Sequence, residues 1–154
     1  MLNNIDPALD ADVLHALGSM GHGDTIVVSD TNFPSDFIAR QTSVGKVLRI
    51  DNVAAARAVK AILSVMPLDM PAHSSAGRME LMGAPDEIPS VQKEVQAELD
   101  LANGVVVPMY GIEHFAFYEN AKRAYCVVTT GENCFYGCFL FTKGVVPMND
   151  GEDR

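Results

Sequence analysis

The stretch Thr25-Ile26-Val27-Val28-Ser29-Asp30-Thr31-Asn32 decides the fold. Its first four residues are β-branched and run without polar alternation. That pattern predicts a strand buried on both faces, and so a sheet covered by helices on each side. The run then stops in Ser29-Asp30-Thr31-Asn32, polar residues at the strand's carboxyl end. In open α/β sheets, ligands collect at that kind of position.

Upstream, Asp10 to Met20 reads as a helix. Asp10 is the cap, Leu9 and Leu14 have the spacing of a hydrophobic staple, and Leu14 and Leu17 extend the apolar stripe. Gly18 and Gly21 break it. Downstream, Lys46 to Ile50 is a second strand. Asp51 or Asn52 caps a helix carrying Val53, Ala56, Val59 and Leu63, which Pro67 terminates. Arg78 to Met82 reads as a strand. Ser90 caps a helix with Val91, Val95 and Leu99 at i, i+4 and i+8. Val105 to Pro108 is a short strand or extended piece, Glu113 to Ala124 a helix, and Tyr125 to Thr130 a strand. Gly131 opens a turn region, and Gly137 to Phe141 closes the sheet. The alternation predicts the α/β class, a single domain over residues 1–148 with a mainly buried sheet flanked by helices. Residues 149–154 form a polar tail.

A chain of 154 residues that is 48% hydrophobic and 20% charged can bury a core without disulfides or metals. No apolar run approaches the length of a membrane span. The net charge of −9 disfavours phosphate backbones and anionic membranes, which excludes nucleic-acid and membrane partners and suits a neutral small-molecule substrate. The odd set of Cys126, Cys134 and Cys138, with no secretory segment at the start, fits the cytoplasm. Cys134 and Cys138 lack the further ligands a metal requires, so they read as buried small thiols on strands. Neither a glycine-rich phosphate loop nor a Gly-x-Ser-x-Gly elbow is present, so a nucleotide cofactor and an acyl-enzyme both lack support.

His22 is the histidine best suited to chemistry. It sits in Gly21-His22-Gly23-Asp24, between a helix end and the buried strand, and its flanking glycines leave the imidazole uncrowded. It reads either as a turn histidine bonded to a carbonyl or as a general acid or base. Asp30 reads either as a cap of the next loop or as an acceptor for polyol hydroxyls. His114 lies at the start of a helix with Tyr118 one turn later, and Tyr136 stands at a turn-to-strand junction. His15 reads as a helix-surface residue, and His73 sits in a loop without a partner in sequence.

Met20-Gly21-His22-Gly23-Asp24 with Ser29-Asp30-Thr31-Asn32-Phe33-Pro34 resembles the opening of the L-fucose mutarotase and D-ribose pyranase family. Phe115-Ala116-Phe117-Tyr118-Glu119, Thr130-Gly131-Glu132, Tyr136-Gly137 and Lys143-Gly144-Val145 are similar to its fucose branch. The ordered match runs from about Leu2 to Pro147. The resemblance implies a ring-based homo-oligomer, a decamer, that interconverts anomers or ring forms of free monosaccharides without cofactor or metal. His22 matches the family's proton-donor histidine, Asp30 a sugar-binding aspartate, and Tyr136 and Gly137 the first two residues of a sugar-binding segment. Cys138 stands where that segment usually has Asn, and His114 where the fucose branch usually has Arg.

Mutarotation opens a cyclic hemiacetal and recloses it on the other face, so it needs one group to take the anomeric proton and one to protonate the ring oxygen. Expected roles are His22 as the acid–base residue, Asp30 orienting it or gripping a hydroxyl, His114 and Tyr136 serving the opposite face or recognising hydroxyls, and Gly137 and Cys138 binding the sugar. Phe33 or Phe117 is expected to stack on it. The alternative is a non-catalytic monosaccharide-binding accessory protein of sugar uptake; a third reading is a structural protein with a dead site. An extended chain between His22 and Asp30 spans up to roughly 26 Å, far more than one sugar. A site shared between subunits is therefore expected unless the glycine turn folds His22 back.

Overall fold

A computed structural model describes residues 2–70 and 73–147. The elements in chain order are α1 (Ala11–Ser19), β1 (Thr25–Ser29), α2 (Ser35–Ala39), β2 (Leu48–Ile50), α3 (Ala55–Leu63), β3 (Ala76–Met79), α4 (Ser90–Asn103), β4 (Tyr110–Ile112), α5 (His114–Lys122), β5 (Cys126–Thr130) and β6 (Phe139–Thr142). One six-stranded mixed sheet runs β2-β5-β1-β6-β3-β4. β1 is parallel to β5, and β5 to β2. β6 runs antiparallel to both β1 and β3, and β3 is parallel to β4. Only β6 is reversed, so the carboxyl ends of the other five strands share one edge with the amino end of β6.

Residues 26–28 of β1 are fully buried, as a strand covered on both faces requires. Strand alternation divides the core in two. Ile26, Val28, Val128, Phe139 and Phe141 meet the apolar faces of α1, α3 and α4. Val27, Val127 and Leu140 meet Ile38 of α2 and Phe117 of α5. Asp10 caps α1 through its carboxylate on the Val13 N–H at 2.8 Å. No helix among the described residues is long and apolar enough to cross a membrane.

Several elements differ from the sequence expectation. Val105 to Pro108 forms no strand, because side chains take up its backbone. Asp100 accepts the Val107 N–H at 2.9 Å, and Gln96 donates to the Val107 carbonyl at 2.7 Å. The strand follows at Tyr110 instead. β3 begins two residues before Arg78 and ends at Met79, after which Leu81 to Ala84 turns through Gly83 at φ +77°. Neither Asp51 nor Asn52 caps α3. Asn52 is itself left-handed at φ 63°, and the Glu132 carboxylate holds the Ala55 N–H from across the fold at 3.1 Å. The buried stripe of α3 is Ala55, Ala58, Val59 and Ile62 rather than the set starting at Val53. Pro89 takes the cap position of α4, leaving Ser90 as its first residue. α2 is a five-residue helix without a side-chain cap, too short to show a period. Cys134 is an exposed turn residue, not a buried thiol on a strand. The expected tail, 149–154, lies outside the described residues.

Candidate functional site

Asp30 is where β1 ends, and its carboxylate builds the site wall. Oδ1 accepts the N–H groups of Asn32 and Phe33, each at 2.9 Å. Oδ2 accepts the Gly137 N–H at 3.1 Å, from 107 residues away. Asp30 is 4% exposed. It thereby ties the β1 exit loop to the loop before β6 with charge-assisted hydrogen bonds. Gly137 has to be glycine for this close approach. A Cβ there would stand 2.8 Å from Glu132 Cγ and 3.3 Å from Asp30 Cβ.

The loop from Cys134 to Cys138 is set by further buried polar groups. Glu132 accepts the Ala55 N–H through one oxygen and the Cys134 N–H, at 2.9 Å, through the other. Burial alone would raise its pKa, but these hydrogen bonds outweigh burial and hold it below the ordinary glutamate value. Tyr136 is left-handed at φ 63°, a conformation uncommon for a tyrosine. Its carbonyl is held at 3.0 Å by Gln92 Nε2, which also donates to the Met79 carbonyl at 2.8 Å. Gln92 is fully buried on α4.

These loops enclose a cavity of about 300 Å³ at the carboxyl edge of β1, β3 and β4. Asp30, Asn32, Phe33, Met79, His114, Tyr118, Phe135, Tyr136 and Cys138 line it. Phe33 stacks on Tyr118 with ring centroids 5.2 Å apart, forming an apolar wall. His114 packs edge-on against Tyr118 and Tyr136. Its Nδ1 is buried without a hydrogen-bond partner among the described residues. Burial first, and the Asp30 charge with it, push the Tyr118 phenol up. Burial first and the Asp30 charge second push the Cys138 thiol well above its ordinary range. Both therefore stay protonated at neutral pH. Among the described residues no group of three or more His, Cys, Asp or Glu side chains is placed to hold a metal.

The structure thus brings Asp30, His114, Tyr136, Gly137 and Cys138 together. It does not bring His22 to them. His22 precedes β1 and Asp30 follows it, and the five-residue strand alone spans about 16 Å. The glycine turn does not fold His22 back. Gly23 N–H bonds the Lys143 carbonyl at 2.9 Å, beyond the far end of β6. Within one chain, then, Asp30 does not orient His22. Its partner is Asp69, whose Oδ1 accepts from Nε2 at 2.9 Å. The His22 side chain is 60% exposed. Phe117, expected to stack on a ligand, is 1% exposed and belongs to the core, edge-on to Phe33. His15 and His73 are exposed and take no part in the cavity lining. Gln92 and Asp69 were missed by sequence reasoning, since nothing in a glutamine on a helix or an aspartate in a loop announces a tertiary partner.

The sequence profile of the RbsD / FucU transport protein family matches residues 3–146. The chain belongs to this family. The L-fucose mutarotase of Actinobacillus pleuropneumoniae serotype 5b is 35% identical over 148 residues, covering 96% of this chain and 99% of that protein. The crystal structure of protein Atu2016 is 73% identical and superposes with a TM-score of 0.94, covering 96% of this chain and 97% of the other. The fucose mutarotase of Streptococcus pneumoniae, solved in complex with L-fucose, is 33% identical with a TM-score of 0.84, covering 95% of this chain and all of that one. The similarity to both mutarotases therefore runs over nearly the whole chain rather than one motif.

Proposed function

We propose that this chain is a cofactor-independent mutarotase of a free aldose, L-fucose or a close relative, acting in the cytoplasm as a homo-oligomer. The observation that carries the reading is the division of the chemistry. A cavity sized for one monosaccharide holds protonated donors, while the exposed imidazole best suited to proton transfer stands at the other end of the same sheet.

The cavity supplies what sugar recognition needs. Phe33 and Tyr118 give an apolar wall, and Tyr118, Tyr136 and Cys138 give hydroxyl and thiol donors. A phenol kept protonated is a sound hydrogen-bond donor, so Tyr118 stabilises a sugar oxygen rather than removing a proton. The exposed imidazole assigned to the anomeric proton is His22. The Asp69 carboxylate accepts from Nε2, so the proton sits on Nε2 and Nδ1 is left as the acceptor. His22 of a second copy, placed at the cavity mouth, takes the anomeric hydroxyl proton as a phenol protonates the ring oxygen. The open aldehyde rotates about its C1–C2 bond, and the reverse transfers close the ring on the other face. No covalent intermediate forms. The decamer implied by the resemblance is one assembly that would bring such copies together.

A single chain holds the cavity without His22 beside it. An isolated subunit would therefore bind sugar without turning it over, which is the accessory-protein reading. Magnetisation-exchange NMR separates the two on a panel of L-fucose, D-ribose and D-galactose. Accelerated exchange between anomers of at least one sugar is expected. Saturable binding of a sugar with its exchange at the solvent rate establishes the accessory reading and refutes catalysis.

A further inference from the structure

We infer that the chain carries a second ligand site, for a small organic oxyanion, on the face of the sheet opposite the sugar cavity. A cavity of about 280 Å³ lies between β3 and α4, lined by Arg78, Ile88, Gln92, Lys93, Gln96 and Met109. Arg78 is only 8% exposed. A guanidinium carries five N–H donors. Arg78 uses one on the Pro85 carbonyl at 3.0 Å and another, at a long 3.4 Å, on Gln92 Oε1. The ion pairs among the described residues engage other cations, so neither Arg78 nor Lys93 has a carboxylate within 4 Å there.

A buried cation without an ion-pair partner is unfavourable until an anion or further acceptors meet it. This one persists in a chain of net charge −9. The remaining walls narrow the chemistry. Gln96 commits its amide N–H groups to Asp100 and Val107, both at 2.7 Å, so it offers a ligand no donor. Ile88 and Met109 are apolar. The open donors belong to Arg78 and Lys93, two cations beside an apolar wall. That set selects a carboxylate or phosphate on a short carbon skeleton, which a guanidinium grips in a fork.

Gln92 joins this cavity to the first. Its Oε1 faces Arg78, and its Nε2 holds the carbonyls of Met79 and Tyr136. An anion that draws Arg78 off its long bond to Gln92 frees the amide that positions the Tyr136 loop. Occupancy of one cavity is thereby felt in the other, and by linkage the effect is reciprocal.

The test is a methyl NMR titration of the full chain with inorganic phosphate, D-gluconate and uncharged D-glucitol. Ile88 and Met109 report the anion cavity, and Met79 reports the sugar cavity. At least one anion is expected to shift Ile88 and Met109 saturably with a midpoint at or below about 10 mM. Glucitol is expected to have no effect. Phosphate acting alone identifies a phosphate ligand, and gluconate acting alone a carboxylate. Lys93 is exposed, so Lys93→Gln keeps the fold, and it should weaken the midpoint by about tenfold, the loss of one charge-assisted hydrogen bond. No saturable shift with either anion, an equal shift with glucitol, or an unchanged midpoint in Lys93→Gln overturns the site. A Met79 signal that stays still while Ile88 and Met109 titrate overturns the link to the sugar cavity.

Discussion

Asp30→Asn is nearly isosteric, so it tests charge and hydrogen bonding with little change in volume. The native carboxylate accepts three backbone N–H groups, from Asn32, Phe33 and Gly137, at 2.9, 2.9 and 3.1 Å. An asparagine keeps one acceptor oxygen. With that oxygen toward Asn32 and Phe33, where two N–H groups converge, its amide points at the Gly137 N–H and donor meets donor. One charge-assisted bond is lost, worth about 1.5–3 kcal/mol. For a chain of this length each kcal/mol moves Tm by about 2–4 °C, so the melting point should fall by about 3–12 °C. The loop before β6 is released at the same time, so sugar affinity should fall with it. Differential scanning calorimetry with and without sugar reads both effects, and Asp24→Asn, at an exposed bond to Gly21 N–H, is the control. A Tm within about 1 °C of the native protein would show that Asp30 does not clamp the two loops.

Gln92→Leu removes both donors from the Met79 and Tyr136 carbonyls, each costing about 1–3 kcal/mol if left unpaired. Chemical denaturation should show a loss of about 2–6 kcal/mol for the two together, with a raised KM for sugar, whereas unchanged stability would remove Gln92 as the brace. Cys138→Asn places an amide beside the cavity and should tighten sugar binding by about 1 kcal/mol in a calorimetric titration; weaker binding would mean that the site is built around the thiol. Glu132 has its folded pKa held low, so its contribution to stability is complete above the ordinary glutamate value of 4.5 and is lost as pH falls through the lowered one. Denaturation midpoints of Glu132→Gln should accordingly lie below the native protein's at pH 7 and converge on them in acid; a constant difference across that window contradicts the assignment.

Much of the scaffold was readable because it rests on local patterns. The unbroken β-branched run at Thr25 to Val28 announced a doubly covered strand, and the polar residues after it marked the edge where the cavity lies. What escaped depends on partners distant in sequence. Asp30 meets Gly137 across 107 residues, Glu132 caps a helix 77 residues upstream, and His22 meets Asp69 across 47. Val105 to Pro108 has strand composition but surrendered its backbone to Gln96 and Asp100, a choice made by side chains on the preceding helix. Phe117 looked like a platform for sugar only because burial cannot be read from residue type.

The division of the site between two copies is tested most directly by complementation. His22→Ala alters an exposed turn and Tyr136→Ala alters the cavity, so each homogeneous protein should fold and fail to accelerate anomer exchange. After subunits are mixed and their exchange is verified by mass-tagged chains, some interfaces will pair an intact His22 with an intact cavity. Magnetisation-exchange NMR should then recover anomer exchange that neither parent shows. If the subunits exchange and the mixture stays as inactive as its parents, the two ends of the sheet do not meet in one working site.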